Sequence, residues 1–211
     1  MPTLAAMFRR VFRPLERWGL VLESDPSFPS VATLVAGGPV RGSWWAHPKA
    51  HDIYNVSHAL GEHEDVIVAK LVSAKNTYVH RRLWPALLAV GAAREPWQLD
   101  RLPDTARRLF DAVTAAGELR TDQVPRTGGR RKDLPGEAAR ELERRLLVYS
   151  EEVHTETGAH AKQLETWERW ARKAGARKGR KTAKQGKRVL AEVVGAINEK
   201  YKSKGRLPWQ S

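Results

Sequence analysis

The residues with the most evident chemical capacity are closely spaced cations. Residues 169–188 hold ten Lys or Arg and no acid, interrupted by Gly175, Gly179 and Gly186. Such a run can neutralise several phosphates and release their counterions. Arg172, Lys173, Arg177, Lys178, Arg180 and Lys181 are its candidate contacts with a nucleic-acid backbone. A second set surrounds residues 135–146: Arg130, Arg131 and Lys132 precede them, and Arg140 and Arg144 lie four apart on one helical face. A guanidinium donates two hydrogen bonds at once, which suits guanine edges and phosphate oxygens. Glu137, Glu141 and Glu143 interleave with these arginines, and ion pairs at i, i+3 or i, i+4 are the plain alternative. His154, His160 and Lys162 could extend the same surface toward a minor groove or backbone.

Trp44 and Trp45 stand beside Arg41, His47 and Lys49. Indoles among cations stack unpaired bases, and tryptophan pairs equally anchor cores and domain joints. His47, His51 and His58 fall near one helical face that Glu62 continues. The first spacing suits two imidazoles on one metal, yet Pro48 places His47 at a cap and spacing supplies no third ligand. No metal and no cofactor is expected. His51, Tyr54, Asn55 and His58 instead read as a polar helix face turned toward nucleic acid or the other half of the chain. The dinucleotide, Walker and nucleophile-elbow patterns are absent.

These groups need elements to carry them. In the second half, Asp104 can cap a helix with Ala106, Leu109, Phe110 and Val113 on one face and Gly117 as its stop. Residues 118–124 give a short extended piece and a turn capped at Thr121. A basic loop, 126–132, leads to a helix from Pro135 with Ala138, Leu142 and Leu146 inward and Arg140, Glu141, Arg144 and Arg145 outward. Strands at 147–154 and 159–166 flank a turn at Thr155-Glu156-Thr157-Gly158. In the first half, Leu4, Phe8, Val11, Phe12, Leu15 and Trp18 form a core-facing helical stripe that Pro14 should kink or split. Ser30 caps a short helix, and a longer one starts near Pro48 with Ile53, Val56 and Leu60 inward. Strands at 66–72 and 77–81 surround a turn at 73–76.

Both halves thus run helix, helix, helix, hairpin. The expected fold is α+β and mainly helical: tandem winged-helix units, each of three helices plus a β-hairpin, with a basic C-terminal extension. The expected division is an N-terminal unit at 1–92, a stiff joint at 93–103, a C-terminal unit at 104–167, and a basic tail with a terminal helix at 168–211. Residues 169–188 should build no core of their own and be mobile when free, and the last residues carry an exposed Trp209. Its helix, with Val189, Leu190, Val193, Val194 and Ile197 along one side, either packs back on the body or meets a protein partner or a second copy.

Composition agrees with a polyanionic partner. The chain has 211 residues, 37 Lys or Arg against 24 Asp or Glu, and a net charge of +13, a field that speeds encounter with nucleic acid. The lack of cysteine excludes disulfides and thiolate chemistry and fits a reducing interior. No run of about 18 apolar residues occurs, so no membrane span is expected, and the expected location is the cytoplasm, at the nucleoid.

The stretch Gly42-Ser43-Trp44-Trp45-Ala46-His47-Pro48-Lys49, followed by Lys70-Leu71-Val72 and residues 79–87, resembles bacterial relatives of the winged-helix DNA glycosylases. So do residues 141–147 and 152–158. Those glycosylases excise alkylated bases and unhook interstrand crosslinks; they are longer and carry a Gln-apolar-Gln or Gln-apolar-Asp catalytic motif. Gln98-Leu99-Asp100 matches that motif in its letters and lies in the expected joint, after Trp97 and before Pro103. The resemblance implies winged helices and double-stranded DNA. Two readings lead, with an RNA-binding or protein-docking role as a third: a non-enzymatic DNA-binding protein in repair, nucleoid or regulatory work, or a glycosylase-type hydrolase. In the second, Gln98 and Asp100 would position water, and Trp44 and Trp45 would meet an extruded base.

Overall fold

The structure, a computed structural model, describes residues 2–125, 134–155, 158–177 and 179–210. It is α+β with helix the larger share and two small antiparallel sheets. The chain divides into two compact units, Met1–Trp84 with Lys187–Ser211, and Pro85–Gly186.

In the first unit, α1 (Leu4–Trp18) starts where the Thr3 side chain accepts from the Ala6 amide. It stops at Gly19, whose φ of 86° is left-handed and whose amide reaches the Leu15 carbonyl at 2.7 Å. Pro14 lies inside α1 and does not split it. The buried stripe of Met7, Val11 and Leu15 extends to both sides of the proline and offsets the backbone bond it removes. Phe8 and Phe12 are only half-buried and Leu4 is exposed, so the expected core face is narrower than its apolar letters. Next come β1 (Leu20–Leu22) and α2 (Val31–Ala36), the latter closed by a capping box between Ser30 and Thr33. A 3-10 turn, Trp44–Ala46, precedes α3 (Ala50–Gly61), which buries Ile53, Val56 and Leu60. The hairpin is β2 (Val66–Val72) and β3 (Lys75–His80), and the sheet order is β1-β3-β2.

The β2–β3 turn is tighter than the four residues expected. Ser73 and Ala74 alone form it, both with positive φ (52° and 55°), the conformation that two-residue hairpins demand. The C-terminal segment holds it: the Ser73 amide donates to the Arg206 carbonyl at 2.7 Å, and the Arg206 amide donates to Ser73 Oγ at 3.2 Å.

The second unit takes in most of α4 (Trp84–Gly91), then α5 (Pro96–Leu99), α6 (Asp104–Ala116) and β4 (Glu118–Arg120). After a 3-10 turn, Thr121–Gln123, come α7 (Pro135–Arg144), β5 (Tyr149–His154), β6 (His160–Glu165) and α8 (Trp167–Lys173). Its sheet runs β4-β6-β5. Ala106, Leu109, Phe110 and Val113 of α6 meet Ala138, Ala139 and Leu142 of α7 and Leu164 of β6 in one core. The expected basic loop at 126–132, and Glu156 and Thr157 of the expected hairpin turn, lie outside the described residues.

Two expectations about the C-terminal region are corrected. Residues from 168 on are not all a coreless tail: Thr166 caps α8, and Trp167 and Trp170 are buried. The indoles supply apolar area that the count of basic residues had concealed. The last helix, α9 (Ala183–Tyr201), buries Leu190, Val194 and Ile197. From Lys187 it belongs to the first unit. Its apolar stripe is therefore not an open surface for a protein partner or a second copy, and Trp209 is half-buried rather than exposed.

Gly91, the last residue of α4, has no room for a side chain. A Cβ there would lie 2.6 Å from Nε1 of Trp167, itself fully buried. Gly91→Ala is expected to lower stability by about 2 kcal/mol through overpacking, read as a lower urea midpoint with an unchanged slope.

Candidate nucleic-acid interface

Helix α7 is amphipathic because Ala138, Ala139 and Leu142 recur at helical spacing, which turns Arg140 and Arg144 to solvent. Each is paired along the helix. Arg140 donates to Glu137 at 2.7 Å, and Arg144 donates to Glu141 at 3.2 Å. Both arginines remain about half exposed (51% and 50%), so these pairs are worth little in water and can exchange for a phosphate. Arg145 is different: it pairs with Glu141 at 2.6 Å and donates to the Asp100 carbonyl at 2.6 Å, which ties α7 to α5.

The expected wing cations divide. His154 and His160 face each other across β5 and β6, exposed, with ring centroids 4.6 Å apart. His160 Nδ1 lies 2.8 Å from Glu152. Lys162, by contrast, is no tip residue. Its ammonium is bonded to Glu143, which is 6% exposed and also accepts from the Ser150 hydroxyl. Glu143 was expected to dilute the outer face of α7; it points inward instead, four residues after the fully buried Ala139. That spacing was the available signal.

The basic run is sorted in the same way. Glu165, 1% exposed, holds Lys173 at 2.5 Å, so Lys173 is not an open cation. Arg172, Arg177, Arg180 and Lys181 are exposed and have no acidic partner among the described residues. Lys184, absent from the expected set, joins them at the start of α9. Lys178, like Arg130, Arg131 and Lys132, lies outside the described residues.

In the first unit, Trp44 is buried and stacks at 4.1 Å and 23° against Trp45, which is 63% exposed. His51, Tyr54 and His58 occupy the exposed face of α3, with Asn55 half-buried. The side chain of His47 is turned into its own loop, where Nδ1 accepts from the Lys49 amide at 3.1 Å. Among the described residues no group of three His, Cys, Asp or Glu is arranged to hold a metal.

Gln98 is fully buried, and its carboxamide is engaged at both ends. Oε1 accepts from the Glu95 amide at 2.9 Å. Nε2 donates to the carbonyls of Arg145 at 3.0 Å and Leu146 at 3.3 Å, the open end of α7. An amide buried and engaged in this way is committed to the backbone around it. Asp100 is exposed at the end of α5. The motif letters thus describe a helix clamp beside a surface carboxylate, and the structure does not bring the two side chains to a common partner.

No helix among the described residues is long and apolar enough to cross a membrane. No protein-family model matches the chain, and no curated protein or solved structure matches it.

Two substitution pairs test these assignments. Lys162→Met leaves the Glu143 carboxylate buried without its cation and is expected to cost about 3 kcal/mol, with Glu143→Gln milder, both read by urea denaturation. Gln98→Ala is expected to cost about 2 kcal/mol by orphaning backbone groups, whereas Asp100→Asn shifts stability by under about 0.5 kcal/mol.

Proposed function

We propose that this chain is a DNA-binding protein made of two winged-helix units, with residues 172–184 gripping the duplex backbone. The observation that carries the reading is the set Arg172, Arg177, Arg180, Lys181 and Lys184, exposed and without acidic partners among the described residues. Cations left unpaired at a net charge of +13 attract a polyanion at long range and release its counterions on contact.

The winged-helix part of the proposal is supported by topology. The first unit runs α1-β1-α2-α3-β2-β3 and the second α6-β4-turn-α7-β5-β6, where a 3-10 turn replaces the short helix. In each, the first strand pairs with the third rather than the second. This order leaves a third helix with one exposed face next to a hairpin, the arrangement that presents a helix to a groove. Exposed Arg140 and Arg144 then serve phosphates or base edges, and the His154–His160 end of the hairpin serves as the wing. Repair, nucleoid and regulatory roles share this chemistry.

The test is the salt dependence of binding to a flush duplex. With about six phosphates contacted, affinity is expected to fall roughly a thousandfold from 50 to 200 mM salt. Replacing Arg177, Arg180, Lys181 and Lys184 together with Ala is expected to flatten the log–log slope by roughly 3 to 4. Binding indifferent to salt, or a slope unaltered in the fourfold variant, overturns the proposal.

A further inference from the structure

The two units share an element order but expose different chemistry on the corresponding helix. Helix α7 shows arginines and glutamates. Helix α3 and the 3-10 turn before it show rings. Trp45, Tyr54 and His58 form a stepped series, with centroids 5.9 Å apart and planes tilted by 41° for the first pair, and 6.0 Å and 39° for the second. Trp45 and Tyr54 are among the few large apolar side chains left exposed, at 63% and 46%. An indole left in water normally rotates freely; here the buried Trp44 lies flat beneath it at 4.1 Å, so one face is held by protein and the ring is pre-oriented. Arg41 and His51 are exposed nearby in the sequence, Glu62 is paired with His58 at 3.3 Å, and Asp52 lies in the first turn of α3.

Flat, pre-oriented rings stack any base whose face is open, and in intact duplex those faces are covered by neighbouring bases. We infer that the Trp45–Tyr54–His58 shelf stacks an unpaired nucleobase, so that the preferred substrate is DNA with unstacked bases, such as a duplex bearing a single-stranded arm. This rests on the DNA-binding reading and names its substrate class. A protein segment of like shape could use the same rings, but a net charge of +13 favours a polyanionic occupant.

The experiment compares two labelled DNAs at equal salt: a flush duplex, and the same duplex with a single-stranded thymidine arm. The wild-type chain is expected to bind the armed DNA about tenfold more tightly, the scale of one base–ring stack. In Trp45→Ala and in Tyr54→Ala the ratio of the two affinities is expected to fall toward one, and in Trp45→Phe to be partly kept. Thermal melting confirms that each variant folds. Equal wild-type affinity for the two DNAs, with duplex binding intact, overturns the shelf and leaves the DNA-binding reading standing. A preference that survives in both alanine variants does the same. No binding to either DNA overturns both readings.

Discussion

The second unit depends on the backbone carbonyl of Leu146. This residue follows α7 with a φ of 51°, a conformation that a branched side chain adopts only when its surroundings enforce it. Its carbonyl lies just past the C-cap of α7, and two buried donors converge on it: Trp167 Nε1 at 2.7 Å and Gln98 Nε2 at 3.3 Å. Through that oxygen α5, the end of α7 and the start of α8 are fastened together. The seat of α7 decides that Arg140 and Arg144 face water, and the seat of α8 decides where the basic run leaves the body. Gly91 completes the arrangement by leaving room for the Trp167 ring.

A second constraint acts on charge. Glu143 and Glu165 are buried carboxylates, which persist only where a cation and hydrogen bonds compensate their lost hydration. Glu143 takes Lys162, and Glu165 takes Lys173. The same packing pushes the Tyr149 hydroxyl well above its ordinary pKa, because burial beside the Trp167 and Trp170 rings disfavours its charged form. Cations near the sheet are thereby committed to the fold. Farther along the chain, Arg177, Arg180, Lys181 and Lys184 have no acidic partner among the described residues and are left for other use. Net charge alone does not distinguish these populations; burial of the acids does.

The first unit is held by different means. Its hairpin turn is secured by a segment more than a hundred residues later in the chain, through the paired Ser73–Arg206 contacts. Asn198 secures that segment in turn, its carboxamide accepting from the Gly205 amide and donating to the Gly205 carbonyl, both at 2.8 Å. With the hairpin fixed and α3 packed on α1 through Ile53, Val56 and Leu60, the rings on the opposite face of α3 are carried on a rigid element. A rigid platform loses little entropy on binding, which is what a stacking surface requires.

Local pattern was legible wherever a residue's neighbours in sequence are its neighbours in space. The stripe of Ala106, Leu109, Phe110 and Val113, the Ser30 cap, the Gly117 stop and the presence of two hairpins follow from period and cap chemistry alone. Strand β1 escaped notice because Leu20-Val21-Leu22 is buried on both faces and shows no alternation. The fates of the polar groups were not legible either. Gln98 reads as a motif letter and proves to be a clamp, Lys162 reads as a wing cation and proves to be a counter-ion, and the tail from residue 168 conceals Trp170 in the core. Each depends on a partner 8 to 48 positions away, as for Lys173–Glu165, Lys162–Glu143 and Gln98–Leu146. Sequence sets which groups are present and the period at which they recur; only the folded chain decides which of them meet, because desolvation and pairing act through space rather than along the backbone.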